Sequence, residues 1–223
     1  MALTAKELVD LVLQHRDAAR IVAEIQQSLL EEQVRRQQYL KWLTPERKAE
    51  FVQGKVVMQS PACVEHLSCV SLISIFLGMY VRFRKLGEVY TEKALIHLKR
   101  NDYLPDICYF SKEKVAKFGM GQMLFPAPDL IVEVLSKSTA KMDRTTKHAD
   151  YAAHGVPEYW IVHPTDYYVE QYVLLAGTDK YLPATKLLPE QDLEYKVIPG
   201  FTPQVKAFFD DAANLKATRN YNE

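Results

Sequence analysis

The alternation of apolar and polar positions divides the chain into two regimes that meet near residue 50. Before that point Ala, Leu, Glu, Gln and Arg dominate and no Gly or Pro occurs ahead of Pro45. Leu8, Leu11, Val12, Ile21, Ile25 and Leu29 recur at helical spacing. Thr4 and Glu7 have the spacing of a capping box, a helix-start signal. Residues 26–37 are polar at most positions, so the expectation is a helical arm or hairpin whose second half projects or meets a partner. A dimerisation element is the sharper form of that reading.

From Glu50 the pattern shortens. Two β-type runs around Gly54 predict a hairpin, closed by Ser60-Pro61. Residues 64–84 carry apolar side chains at 67, 70, 72, 73, 76, 77, 80 and 81, a helix with one broad buried face that Gly87 ends. Strands are expected over 89–98, 106–110 and 130–135, with a loop or short helix over 111–128. Ser138 or Thr139 can cap a helix running to about His154, where Gly155-Val156-Pro157 stops it. Residues 158–162 and 167–175 form a second hairpin, and 188–209 add at most one strand and a short helix. This order predicts a single α/β (α+β) domain, a central mixed β-sheet flanked by helices, with an N-terminal helical arm.

Composition narrows this little. Of 223 residues, 48% are hydrophobic and 25% charged, ordinary usage for a globular domain. The nearly uncharged run 67–81 is interrupted by serines and falls short of the roughly 20 residues that span a bilayer. The first ten residues lack a basic n-region followed by an apolar core, so a cytoplasmic protein with no membrane partner is expected. Cys63, Cys69 and Cys108 show no C-x-x-C spacing and read as reduced, small apolar residues. Charge balances at 28 basic against 28 acidic, which counts against tight duplex binding. A local basic groove stays open, because Lys137, Lys141, Arg144, Lys147 and His148 fall within twelve residues; a solvated helix face is the plainer reading.

The chemistry-bearing signal is a carboxylate inside a core pattern. Glu133 interrupts Leu-Ile-Val-Glu-Val-Leu, and an ionised carboxylate buried there needs a cation, a hydrogen-bond network or an exposed face. Strand periodicity sets Ile131, Glu133 and Leu135 on one side and Leu130, Val132 and Val134 on the other. Asp106 heads an apolar strand after Pro105, 27 residues earlier, and Asp129 competes with it for the role of second acid. Two converging carboxylates suit a hard divalent cation such as Mg²⁺ or Mn²⁺, and no His/Cys set selects zinc. Lys147 lies four residues from both Asp143 and Tyr151, a spacing that fits a surface ion pair or a group that orients a nucleophile.

Pro128-Asp-Leu-Ile-Val-Glu-Val-Leu-Ser136, Asp143, Lys147, Tyr151 and Gly155-Val-Pro-Glu-Tyr-Trp-Ile-Val162 together resemble the Uma2 family of the PD-(D/E)xK nuclease superfamily. Glu50-Phe51-Val52-Gln53-Gly54 is similar to the family's hairpin, and Ser60-Pro61, His66, Pro105-Asp106 and Pro199-Gly200-Phe201 extend the likeness. The resemblance implies a restriction-endonuclease-like core over 48–210, after a helical arm (1–47) and before a C-terminal tail (211–223). It also implies Asp106 and Glu133 as metal ligands. The superfamily's lysine position, two after Glu133, holds Leu135 here, and Lys147 on the following helix is the matching residue. Glu50 or Glu65 would serve as auxiliary acid, Glu50 matching better.

Two function classes follow. One is a Mg²⁺- or Mn²⁺-dependent endonuclease acting on nucleic acid, DNA before RNA, with catalytic Asp106, Glu133, Lys147 and Glu50 and with Lys141 and His148 near phosphates. The other is a non-catalytic protein that keeps the nuclease fold as a nucleic-acid-binding or dimeric scaffold. The resemblance and the helical arm both suggest a homodimer.

Overall fold

A computed structural model describes residues 3–220, so the outermost residues of the expected arm and tail (1–2 and 221–223) lie outside the described part. The chain forms two compact units, residues 1–58 and 59–223. In the first unit, α1 (Ala5–Gln14) and α2 (Ala18–Trp42) precede the hairpin of β1 (Ala49–Val52) and β2 (Lys55–Met58). The capping box forms: the Glu7 amide donates to Thr4 Oγ1 at 3.3 Å and the Thr4 amide donates to Glu7 Oε2 at 2.6 Å. Gln53 (φ 48°) and Gly54 (φ 80°) make the two-residue turn, whose positive φ values match the twist of paired strands. Tyr39 packs its ring on Phe51 and donates its hydroxyl to the Ala49 carbonyl at 2.7 Å, tying the end of α2 to β1. In α1 no residue is buried, and Leu8, Val9, Leu11 and Leu13 are exposed.

The second unit opens with α3 (Val64–Phe83), followed by β3 (Gly87–Thr91), β4 (Leu95–His97), β5 (Asp102–Tyr103), β6 (Ile107–Ser111), α4 (Lys112–Val115), β7 (Leu124–Phe125) and β8 (Leu130–Val134). A helix then runs through α5 (Ala140–Met142), a π-helical segment (Asp143–Lys147) and α6 (His148–Ala153). After it come β9 (Glu158–His163), β10 (Tyr168–Val173), β11 (Thr185–Leu187), a 3₁₀ turn (Val205–Phe208) and α7 (Asp211–Asn220). The main sheet has the order β11-β10-β9-β8-β6-β3 and is mixed, as expected: β8 and β9 are parallel and the other pairs antiparallel. A parallel pair needs a crossover, and α5 to α6 supply it.

Each face of this sheet has its own cover. Leu130, Val132 and Val134 pack with Tyr109, Trp160 and Val162 against Cys69, Val70, Ile73, Phe76 and Leu77 of α3. The 20 residues of α3 are long and apolar enough to cross a bilayer, more than the run 67–81 suggested, but its apolar stripe is the core of this unit. Residues 211–220, expected as tail, form α7, anchored by the buried Asn214, which donates to the carbonyls of Leu72 (2.9 Å) and Ala207 (2.8 Å). The expected strand 89–98 is split. After Thr91 pairs with Ile107 the backbone turns at Glu92 (φ 56°), and β4 leaves to pair with β5 and β7. Neither Ser138 nor Thr139 caps its helix by side chain; Ser136 Oγ accepts the Thr139 amide at 3.2 Å instead. Cys63 is exposed, unlike buried Cys69 and Cys108, so the small-apolar reading holds for two of the three.

Gly87 opens β3 at φ 148°, and a Cβ there would stand 2.0 Å from the Phe110 carbonyl oxygen. Gly87→Ala should therefore cost more than about 1 kcal/mol in urea unfolding. An unchanged midpoint would show that β3 can draw away from β6 freely.

Candidate active site

Strand register lays the polar residues of the helix-crossed face in a row. Glu133 of β8 is opposite Ile161 of β9, and Ile161 is opposite Glu170 of β10. On the other side Ile107 pairs with Val132, so one residue further the same register sets Asp106 across from Glu133. Residues opposite each other project to the same face. Asp106 is also tied to β8 itself: its Oδ2 accepts the amide of Val134, next to Glu133, at 2.7 Å.

Glu133 is buried (4% exposed), which removes the half-exposed strand reading. Its Oε1 accepts from Lys147 Nζ and from the Tyr151 hydroxyl, each at 2.9 Å. The ammonium is itself buried, 3.6 Å from Asp143 Oδ1 and 5.7 Å above the Tyr103 ring. Losing water costs each of these charges several kcal/mol, so they are stable there only as a set. The surface ion-pair reading of Asp143 and Lys147 is thereby overturned.

The π segment explains how one helix presents Asp143, Lys147 and Tyr151 together. Four residues of α-helix overshoot a full turn by about 40°, so three groups at that spacing would fan out by about 80°. A wider turn over Asp143–Lys147 takes back part of that drift, in keeping with the habit of π-bulges to lie at functional sites. Within that widened stretch, the Tyr159 hydroxyl donates to the Asp143 carbonyl at 3.1 Å. Burial pushes that phenol well above its usual range, with the Glu133 and Asp143 charges adding to it. Burial likewise raises the Cys108 and Cys69 thiols, helped by Glu133 and by Asp106 respectively.

Asp129 is held by Lys114 Nζ at 2.9 Å and by the Ser111 amide at 2.7 Å, a clamp at the far end of β6. Glu65 is exposed in the first turn of α3, and Glu50 is buried on β1 in the first unit. The basic run does not form a strip. Lys147 is spent on Glu133, and His148 sits edge-on to Tyr172 and Tyr181, where burial lowers its pKa; Lys137 and Lys141 are exposed. His66, noticed only as a motif match at a helix start, is a buried neighbour of the site, with Nε2 3.3 Å from Asp106 Oδ1. Tyr151 stands in the motif string as well. The spacing from Lys147 marked it, but nothing in sequence showed that its hydroxyl would reach Glu133.

This mixed sheet with helices on both faces is a restriction-endonuclease-like, nuclease-like arrangement. The crystal structure of a protein from Anabaena variabilis, described as a putative nuclease belonging to DUF820, superposes with a TM-score of 0.67 at 18% identity, over 79% of this chain and 96% of that one. The chain belongs to the Uma2 family, described as putative restriction endonuclease, whose model matches residues 36–207. An uncharacterized protein of Synechocystis sp. is 28% identical over 129 residues, 56% of this chain and 71% of the relative.

The buried charge set makes a stability prediction. Lys147→Met leaves Glu133 and Asp143 without their shared cation and should cost about 3–5 kcal/mol. Glu133→Gln should cost less, because Lys147 keeps Asp143. The double variant should be less damaged than the sum of the singles. Additivity within about 0.5 kcal/mol in urea unfolding would mean that the pair is not coupled.

Proposed function

We propose that the chain is an endonuclease that hydrolyses nucleic acid phosphodiesters, DNA first, with Mg²⁺ or Mn²⁺ held by Asp106 and Glu133. The observation that carries this reading is the placement of Asp106 opposite Glu133, beside a buried lysine. Two carboxylates (Glu133, Asp143) share the Lys147 ammonium and a third, Asp106, stands across from Glu133, so the formal charge favours a further cation. Among the described residues no three His, Cys, Asp or Glu side chains gather as a ready-made metal cage. Two carboxylates completed by water and substrate oxygens are the usual setting for Mg²⁺, so the donor set fits. When bound, the ion would supply a water of lowered pKa and neutralise charge on the phosphate.

The chain's own groups then have separate tasks. The Val134 amide fixes one oxygen of Asp106. Lys147 and Tyr151 hold one oxygen of Glu133, which orients its carboxylate. The Lys147 ammonium also places positive charge where the attacked phosphate gains negative charge, a preorganised contribution that needs no rearrangement. A second reading, a dimeric scaffold that keeps the fold, draws on the exposed Leu and Val side chains of α1 and α2. Two copies pairing through these helices is compatible with both readings.

Supercoiled plasmid with Mn²⁺ should be nicked by the wild type, and at least about 10²-fold more slowly by an Asp106→Ala/Glu133→Ala variant. Equal cleavage by both would point to a contaminant and end the nuclease reading. Mn²⁺ at about 100 times its dissociation constant should also raise wild-type stability by about 2.7 kcal/mol and leave the variant unmoved. No shift in the wild type would end the metal assignment.

A further inference from the structure

The row that carries Glu133 continues outward. Beyond Ile161 come Glu170 of β10 and then Lys186 of β11, paired in register. Arg144, on the π segment three residues before Lys147, reaches down to this end: its NH2 nitrogen lies 3.0 Å from Glu170 Oε1 and 2.6 Å from His163 Nε2. Glu170 also accepts the Tyr172 hydroxyl at 2.9 Å, so the carboxylate that aims the guanidinium is itself fixed. His163 stacks on Tyr168 at 3.7 Å between centroids, and Lys186 Nζ stands 3.8 Å over the same Tyr168 ring.

Within the basic run 137–148, Arg144 is the cation both held in place and open to solvent. Lys147 is consumed by the buried acids, and burial depresses the pKa of His148. Lys137 and Lys141 are exposed, whereas Arg144 is fixed by two partners with 34% of its side chain accessible. Two strand spacings separate Glu170 from Glu133, about 10 Å. The Arg144 end is therefore beside the acid centre, close enough for a neighbouring phosphate of one nucleic acid strand.

We propose that Arg144 and Lys186 form a phosphate-binding subsite that holds the nucleic acid backbone next to the Asp106–Glu133 centre. This rests on the nuclease reading for its substrate, but it concerns binding alone. A guanidinium anchored through one nitrogen keeps its planar fork oriented and loses little freedom when it meets a phosphate. Lys186 adds a point charge across the Tyr168 ring. Opposing charge comes from Glu170 and from Asp166, whose Oδ2 is 3.8 Å from His163 Nδ1.

The test is the salt dependence of binding, measured by anisotropy with a fluorescein-labelled mixed-sequence oligonucleotide, as single strand and as duplex, in EDTA to prevent hydrolysis. Each phosphate contact contributes about 0.7 (single strand) or 0.9 (duplex) to the slope of log K against log salt. Arg144→Gln and Lys186→Gln should each lower the slope by about that amount, and the double variant by about twice as much. Glu170→Gln separates this from a structural role. It breaks the same ion pair but removes a negative charge, so binding should hold or tighten. An unchanged slope in Arg144→Gln, a loss in Glu170→Gln equal to that in Arg144→Gln, or a wild type that binds neither oligonucleotide would each overturn the subsite. Plasmid nicking with Mn²⁺ on the same preparations keeps the two readings apart: intact cleavage with an unchanged slope sinks the subsite alone, and absent cleavage with the expected slope change sinks only the nuclease.

Discussion

The second unit is organised around a lysine ammonium and two carboxylates that have been taken out of water. An ion pair in that position is weak evidence of stability, because desolvation offsets most of the attraction. What it imposes is arrangement. Glu133 has to stand on the strand face turned away from the α3 core, and a helix has to cross that face close enough for Lys147 to reach it. The parallel β8–β9 crossover delivers such a helix, and its π segment lets Lys147 and Tyr151 reach the same carboxylate while Asp143 meets the Lys147 ammonium. The order of strands and the irregular helix are two consequences of one electrostatic requirement.

A second buried glutamate on the neighbouring strand shows the contrast. Glu158, fully buried on β9, accepts from Trp160 Nε1, Gln171 Nε2 and the amides of Lys196 and Val197 at 2.6 to 3.2 Å. Burial still raises its pKa despite those four donors. Neutral donors surround it, so it serves to stitch the chain after β11 to the sheet. Glu133 is compensated by an ammonium and lies across from a further carboxylate, Asp106 at the head of β6, so its surroundings are ionic. Burial alone did not mark the site; the charge of the partners did.

Much of this was legible in the residues. The alternation in Leu130–Leu135 assigned Glu133 to the correct face, because one side of β8 had to meet an apolar helix. The two long helices and the hairpins at 50–58 and 158–175 followed from period and turn chemistry. What failed depended on tertiary pairing. The 89–98 strand read as continuous because the left-handed break at Glu92 uses no Gly, and β5 and β7 are too short to leave a periodic trace. Asp129 and Asp106 both follow proline, and only strand register sends one to Lys114 and the other toward Glu133. The run 137–148 looked like one basic face because sequence does not show that a helix will bury one cation and anchor another.

That last point bears on the balanced charge of the whole chain. Neutrality argues against a protein that grips nucleic acid through broad electrostatics. The second unit adds a formally negative acid centre, which would repel a phosphate backbone unless a divalent cation stood between them. Under the nuclease reading these facts are consistent with each other. Affinity would come from a few placed contacts and from the metal instead of from a basic surface. Recognition would then be coupled to assembly of the catalytic centre: the placed contacts beside it would hold a strand, and the hold would tighten once the carboxylates were neutralised.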